Sequence, residues 1–272
     1  MGAFEGKVVL ITGASSGIGA ALARVFVREG AAVALAGRRL ERLEALAAEL
    51  TRAGGRAAAL GCDVTRDGDL ERTVAATRDR LGPIDVAVAN AGFGVAGPVS
   101  QLTLDDYRRQ FETNVFGVLR TVYAALPDLE KTRGTLVVVG SVSGHLGAPG
   151  ASAYAMSKFA VRGLAQSLGH ELRPRGISVV LVSPGFVVSE IHEVDNRGVH
   201  HPGVRHAVPD WLRMPTERAA RQIVRAVARR RGETVITAHG KVIVFLQRHA
   251  PWLVTAIIRR FGVRGRQEPR RA

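Results

Sequence analysis

Six short runs of Val, Leu, Ile and Ala recur along the chain, at 7–12, 32–36, 57–62, 84–89, 135–139 and 177–183, and the segments between them have helical spacing of apolar positions. Those helical segments are 17–29, 40–53, 67–81, 104–126 and 152–173. A continuous apolar run is the mark of a strand buried on both faces, and strand, helix, strand repeated folds as right-handed crossovers onto a parallel sheet. The pattern predicts an α/β fold, a doubly wound parallel sheet with helices on both faces. The ligand crevice is then expected at the carboxyl ends of the strands.

Local chemistry marks several boundaries. Thr103 and Asp106 have the spacing of a capping box, Thr216 is placed to cap a helix over 217–231, and Gly30 and Gly54 fit helix stops. A chain of 272 residues with no fixed-period repeat or low-complexity linker before about residue 240 reads as one domain over 1–240. Residues 241–272 form a basic, partly apolar C-terminal extension. The segment 189–214, rich in His and Pro and without a clear period, is expected to be a mobile flap over the crevice. No apolar run approaches the ~20 residues a membrane-crossing helix needs. No export signal or myristoylation pattern is visible at the start, and the single cysteine, Cys62, reads as a small buried residue, so a cytoplasmic setting is expected.

After the first run comes Thr12-Gly13-Ala14-Ser15-Ser16-Gly17-Ile18-Gly19, then a helix. Small residues at such a turn let the backbone approach a pyrophosphate, whose charge is favoured by the free N–H groups and positive end of the helix. One glycine serves a turn; three at this spacing point to a dinucleotide. Selectivity lies about 20 residues on, where an acid would bind the ribose 2′-hydroxyl of NAD. Here stand Gly37, Arg38 and Arg39. A guanidinium pairs with a 2′-phosphate, which favours NADP(H); the alternative is that both arginines are only solvated.

Tyr154 and Lys158 stand four residues apart at the start of the 152–173 helix and share a face. A free phenol titrates near 10, so work near neutrality needs a shift of roughly 3 units, about 4 kcal/mol. An ammonium about 4 to 5 Å away supplies about 3 to 4 kcal/mol at an effective dielectric near 20. Thirteen residues before the tyrosine, Ser141 ends the fifth run, where a hydroxyl can bond a substrate oxygen.

These residues resemble the short-chain dehydrogenase/reductase family over roughly residues 5–240. The marks are TGASSGIG (12–19), CDV (62–64), NAG (90–92), Asn114, Ser141, YAMSK (154–158) and PGFVVS (184–189). The resemblance implies a Rossmann-like fold and a reversible oxidoreductase, with Tyr154 as general acid and base, Ser141 orienting the substrate oxygen, and Lys158 holding the nicotinamide ribose and lowering the tyrosine pKa. It implies that Asn114 keeps a water in the proton relay. Gly13, Ser15, Ser16, Gly17, Ile18 and Gly19 would hold the pyrophosphate, Arg38 the 2′-phosphate, and Asp63 and Val64 the adenine. Asn90, Ala91 and Gly92 would border the cofactor, and Pro184, Gly185, Val187 and Ser189 its nicotinamide end. Departures from the family pattern are Ala89 where asparagine is frequent, Gly140 where serine is, and Ser189 where threonine is; none removes a catalytic group. The family also suggests a homodimer or homotetramer.

Phe93, Val95, His145, Leu146, Phe186 and Trp211 are expected to line a mostly apolar pocket, which suggests a hydrophobic ketone or secondary alcohol. His192, His200, His201 and His206 lack accompanying carboxylate or thiol spacing, and no metal is expected. The net charge of +14 is concentrated late: residues 217–272 hold 14 Arg and Lys against three Glu. With the apolar stretches 242–246 and 252–258, a helix start at Pro251, and arginines at 248, 259, 260, 264, 266, 270 and 271, this region suits either peripheral contact with an anionic membrane or packing on its own domain or a subunit partner. Low aromatic content argues against specific nucleic-acid binding. The competing function is a non-catalytic NADP(H)-binding sensor or scaffold. Such a protein is expected to have lost the tyrosine or the lysine, and both are present.

Overall fold

The computed structural model describes residues 2–201 and 208–261. His206 and the arginines at 264, 266, 270 and 271 lie outside the described residues, as does the side chain of His192. Among the described residues, seven strands form one parallel sheet: β1 (Val8–Thr12), β2 (Ala32–Gly37), β3 (Arg56–Gly61), β4 (Val86–Ala89), β5 (Thr135–Val139), β6 (Ser178–Ser183) and β7 (Glu233–Val235). Their order is β3-β2-β1-β4-β5-β6-β7. The chain winds outward from β1 to β3, then returns to lay β4 against β1. That reversal is where an open α/β sheet leaves its crevice.

Successive residues of each strand point to opposite faces, so one face collects Val9, Ile11, Val33, Leu35, Val137 and Val180, and the other Leu10, Ala34, Ala87, Leu136 and Val138. The first face is covered by α1 (Gly17–Arg28), α2 (Leu40–Arg52) and α7 (Thr216–Ala228), through Leu22, Phe26, Leu43 and Ile223. The second is covered by α3 (Asp69–Arg80), α5 (Gly117–Thr132) and α6 (Ser152–Glu171), through Leu70, Val74, Val118, Val122 and Val161. Each such side chain contributes about 1.5–3 kcal/mol on burial. Asp128 on α5 joins three elements, accepting from Arg78 Nε at 2.8 Å and from the Ile84 N–H at 3.2 Å. Gly30 and Gly54 stand just beyond the ends of α1 and α2 with φ of 90° and 84°, as helix stops require.

Three expectations are corrected. The helix expected over 104–126 is α4 (Leu104–Phe111), one π-helical turn (Glu112–Phe116) and α5, which runs on to Thr132. Its start is as read, since Thr103 and Asp106 form the reciprocal capping box. Thr216 does not cap: Pro215 takes that position, Thr216 is the first helical residue, and its hydroxyl donates to the Val188 carbonyl, a partner that only the tertiary fold provides. That helix stops at Ala228 because Arg230 turns left-handed, φ 49°, with Nη2 donating to the Arg133 carbonyl at 3.0 Å. The strand β7 was not legible, because Glu-Thr-Val carries no apolar run and pairs with β6 alone.

After β6 the chain makes an excursion that begins and ends at one point. The Val188 N–H donates to the Met214 carbonyl at 3.0 Å, and the Met214 N–H donates to the Phe186 carbonyl at 2.9 Å. Within the excursion Asn196 is buried, its Oδ1 accepting from the Ala96 N–H and its Nδ2 donating to the Ala96 carbonyl, both at 2.8 Å. Beyond β7, α8 (Ala238–His249) and α9 (Pro251–Phe261) form a bent pair. Pro251 opens α9 as expected, while α8 begins at Ala238, ahead of the boundary drawn at 240.

Candidate active site

The glycine turn between β1 and α1 is braced from the neighbouring strand. Thr12 Oγ1 donates to the Val88 carbonyl and accepts the N–H groups of Asn90 and Ala91 at 3.1 and 3.2 Å. Asn90 Nδ2 donates to the carbonyls of Thr12 and Gly13 at 2.9 and 3.2 Å. Gly13 has φ 67°, and a Cβ there would lie 2.8 Å from Ala91 Cα; a Cβ on Gly19 would lie 2.3 Å from the Gly13 carbonyl oxygen. Neither position has room for a side chain. Gly17 faces Ser189, with 3.3 Å between a built Cβ and the serine Cβ, so the turn meets the loop after β6. Ser16 holds the N-cap position of α1 without a side-chain cap, which leaves the first-turn N–H groups of α1 to a ligand.

At the end of β2, Arg38 is exposed and Arg39 half-buried. Arg39 donates from Nε to Ser15 Oγ at 3.1 Å, from Nη2 to Ser16 Oγ at 2.6 Å and from Nη1 to Glu190 at 2.9 Å. Arg42 also meets Glu190. Burial pushes the Glu190 carboxyl up, but the two guanidinium groups hold it below its ordinary range. Asp63 behaves alike: burial opposes its charge, and hydrogen bonds from Thr65 N–H and Oγ1, helped by the Arg38 charge, bring it below the usual carboxylate range. Val64 is buried against Gly117, where a Cβ would come within 2.7 Å of it.

Tyr154 and Lys158 lie one turn apart on α6. Lys158 is buried, its Nζ 5.7 Å from the centre of the Tyr154 ring and donating to the Val139 carbonyl at the end of β5 at 2.9 Å. Burial pushes its ammonium down to about 8. Between them Ser157 Oγ donates to the Tyr154 carbonyl at 2.7 Å and accepts from Asn114 Nδ2 at 3.2 Å. Asn114 sits in the π-helical turn, its Oδ1 accepting the Phe93 N–H at 3.1 Å and its Nδ2 also donating to the Phe93 carbonyl at 3.0 Å. Ser141 Oγ accepts the Ser143 N–H at 3.1 Å. This starts a short turn that packs on α6 so closely that a Cβ on Gly144 would lie 2.7 Å from the Lys158 carbonyl oxygen.

The loop Pro184–Gly185–Phe186 closes the crevice beside β6. The Pro184 carbonyl accepts the Val142 N–H at 2.9 Å, and a Cβ on Gly185 would lie 2.3 Å from Thr237 Oγ1. His239 Nε2 accepts the Phe186 N–H at 2.9 Å, and its ring stacks on Phe186 at 5.2 Å. Val187 is buried and bridges to Met214.

Five residues of this framework were not singled out as site residues from sequence: Thr12, Gln110, Ser157, Glu190 and His239. Gln110 is fully buried; Oε1 accepts the Val95 N–H at 2.6 Å and Nε2 donates to the Phe93 carbonyl at 2.9 Å. Thr12 stands in the TGASSGIG run and Ser157 in YAMSK, and for Gln110 the readable signal was an uncharged polar residue four before Asn114. Two expected pocket residues are corrected. Val95 is fully buried with its N–H committed to Gln110, and His145 is buried, with Nε2 3.1 Å from Ser183 Oγ and 3.5 Å from Glu233. Burial and the Arg162 charge push the His145 imidazole below its ordinary pKa. Phe93 and Leu146 are half-buried, and Phe186 and Trp211 exposed. His200 and His201 do meet carboxylates, Glu193 and Asp195, each at 2.9 Å. The backbone between Glu190 and His201 creates those pairs, and spacing did not show them.

A doubly wound sheet with a glycine cradle at its reversal and a Tyr/Lys pair on the adjoining helix defines a class of nicotinamide-linked oxidoreductases. Residues 7–199 match the family model described as short chain dehydrogenase, and the chain belongs to that family. It is 40% identical over 187 residues to Oxidoreductase asL5 of Sarocladium schorii, covering 68% of this chain and 74% of the relative. An alcohol dehydrogenase from the archaeon Thermococcus sibiricus, solved with 5-hydroxy-NADP, is 30% identical with a TM-score of 0.73 over 84% of this chain and 95% of that one. A short chain dehydrogenase/reductase from Burkholderia phymatum, solved with NAD, is 25% identical with a TM-score of 0.82 over 100% of both chains. The protein is thus an oxidoreductase of the short-chain dehydrogenase type.

Proposed function

We propose that the protein interconverts a carbonyl and a secondary alcohol on an apolar substrate with NADP(H), and that Tyr154 is its general acid and base. The observation that carries this reading is the pair on α6, with Lys158 buried and its Nζ held at the end of β5, 5.7 Å from the Tyr154 ring. The chain fits a dinucleotide: Gly13 and Gly19, where a Cβ would collide with Ala91 and the Gly13 carbonyl, keep the turn between β1 and α1 tight and free of side chains at an uncapped helix start. Gly13, Ser15, Ser16, Gly17, Ile18 and Gly19 would hold the pyrophosphate, and Asp63 and Val64 the adenine. Asn90, Ala91 and Gly92 would border the cofactor, and Pro184, Gly185, Val187 and Ser189 its nicotinamide end. When bound, the nicotinamide supplies or accepts the hydride.

The chain's own groups then manage the oxygen. Tyr154 Oη gives its proton to the carbonyl oxygen in reduction and takes it back in oxidation, while Ser141 Oγ hydrogen-bonds the same oxygen. Lys158 is mostly protonated below pH 8, and its charge favours the phenolate that Tyr154 must pass through. Asn114 holds the loop after β4 against α6. Preference for NADP(H) is supported by the absence of a carboxylate at the end of β2, where Arg38 is free to meet a 2′-phosphate and Arg39 already lies on Ser15 and Ser16.

The test is loss of NADPH absorbance against a panel of apolar ketones. Turnover should vanish in Tyr154→Phe with NADPH binding retained; full activity in that variant refutes the role. NADP should bind more tightly than NAD, and Arg38→Asp should remove the difference; equal binding in the native protein discards the cofactor preference.

A further inference from the structure

We propose that the elbow of α8 and α9 docks this protein on the surface of an anionic lipid bilayer. The elbow's outer side is unusually apolar for a surface. Val242 and Phe245 on α8 are 58% and 61% exposed, and Trp252 on α9 is 72% exposed, with Ile257 exposed on the same helix. Val242, Phe245 and His249 recur at intervals of three and four and form one stripe, with the Phe245 and His249 rings 4.5 Å apart. The inner side of α8 is fixed to the body, since a Cβ on Gly240 would lie 2.9 Å from Val142 and Thr237 Oγ1 caps the start of the helix, and α9 packs on α8 with Val254 buried. The stripe is therefore displayed by a seated element.

Length and bend say how it would meet lipid. Each helix has 12 residues or fewer, and a 12-residue helix is about 18 Å long against roughly 30 Å of hydrocarbon. The pair together has the length and apolar character of a span but bends by 116°. Such an elbow lies in the interface.

Charge names the occupant. Residues 234–261 carry Lys241, Arg248, Arg259 and Arg260 and no Asp or Glu, and the sequence beyond adds Arg264, Arg266, Arg270 and Arg271 against Glu268. Two copies of this chain would bring like charge to like charge. A nucleic acid would satisfy the cations and leave Trp252, Phe245 and Val242 in water. An anionic bilayer takes both, headgroups meeting the guanidinium groups and the acyl boundary the aromatic rings. The elbow springs from the crevice rim, where His239 holds the Phe186 N–H, so docking brings that rim to the lipid surface. The inference does not rest on the reading of the catalytic groups.

The experiment is co-sedimentation of the full chain with vesicles of phosphatidylcholine alone or with added phosphatidylglycerol. Partition onto the phosphatidylglycerol vesicles should exceed that onto phosphatidylcholine by about tenfold or more and weaken with salt. The Phe245→Glu/Trp252→Glu double variant, its fold checked by far-UV circular dichroism, should lose about tenfold or more of that partition. In a Trp211→Phe background, emission from Trp252 should shift to the blue on the same vesicles. No partition by the native chain, or undiminished partition by the folded double variant, overturns the proposal. So does a concentration-dependent dimer that forms without lipid, is abolished in the double variant and leaves the native chain unable to bind vesicles.

Discussion

Lys158 carries an ammonium into a buried position, and burial shifts its titration well below the ordinary lysine value. The folded form releases the proton near pH 8, the unfolded chain near 10.5. Between those values the unfolded chain binds more protons, so stability rises with pH across this window; below it the desolvation cost, about 3 kcal/mol, is present in full. Urea unfolding of the native protein should show a more positive pH dependence across this window than Lys158→Met, which keeps only the opposing contribution of the buried Cys62 thiol. Equal pH dependence in both proteins would place the titration elsewhere. The placement of Tyr154 and Lys158 one turn apart on a helix, and of Ser141 just beyond β5, was legible because it follows from residue type and spacing. The Ser157 bridge between Asn114 and the Tyr154 carbonyl was not, because it links a π-helical turn to another helix through tertiary packing.

At the scale of the element, the π-helical turn between α4 and α5 explains why one apolar period ran from 104 to 126 in the sequence while the helix did not. A single wide turn shifts the register by one residue, too little to disturb a periodicity spread over six turns, yet it falls where Asn114 bonds the loop after β4. Gln110 supports the same loop from α4. Gln110→Leu leaves the Val95 N–H buried and unpaired, and should lower the unfolding free energy by about 1–3 kcal/mol in denaturant titration. A neutral effect would mean that the loop finds another donor and acceptor. Glu190 shows the limit of sequence reading in another way. Nothing near position 190 announces that it will meet Arg39 and Arg42, 148 or more residues away.

For the molecule as a whole, β1, β2, β4, β5 and β6 were readable because they are buried, and burial on both faces writes itself as an unbroken apolar run; β3, half-exposed at one sheet edge, was readable only from its alanines and Leu60. The strand β7, half-exposed at the opposite edge, had no such signature, and the order of the strands is given by the structure alone. Cys62 offers a probe of the intact fold. It is 4% exposed and burial pushes its thiol up, so alkylation of the native protein should be slow and follow the global unfolding rate or equilibrium across a urea series. Rapid modification without denaturant would show that β3 and α3 open locally. The paired backbone at Val188 and Met214 bears on how such a molecule can change over time. Because the intervening segment leaves and rejoins the body at one spot, doubling its length costs only about 0.6 kcal/mol of closure entropy. A descendant could exchange that cassette, and with it the shape of molecule admitted, while sheet and nucleotide cradle stay as they are.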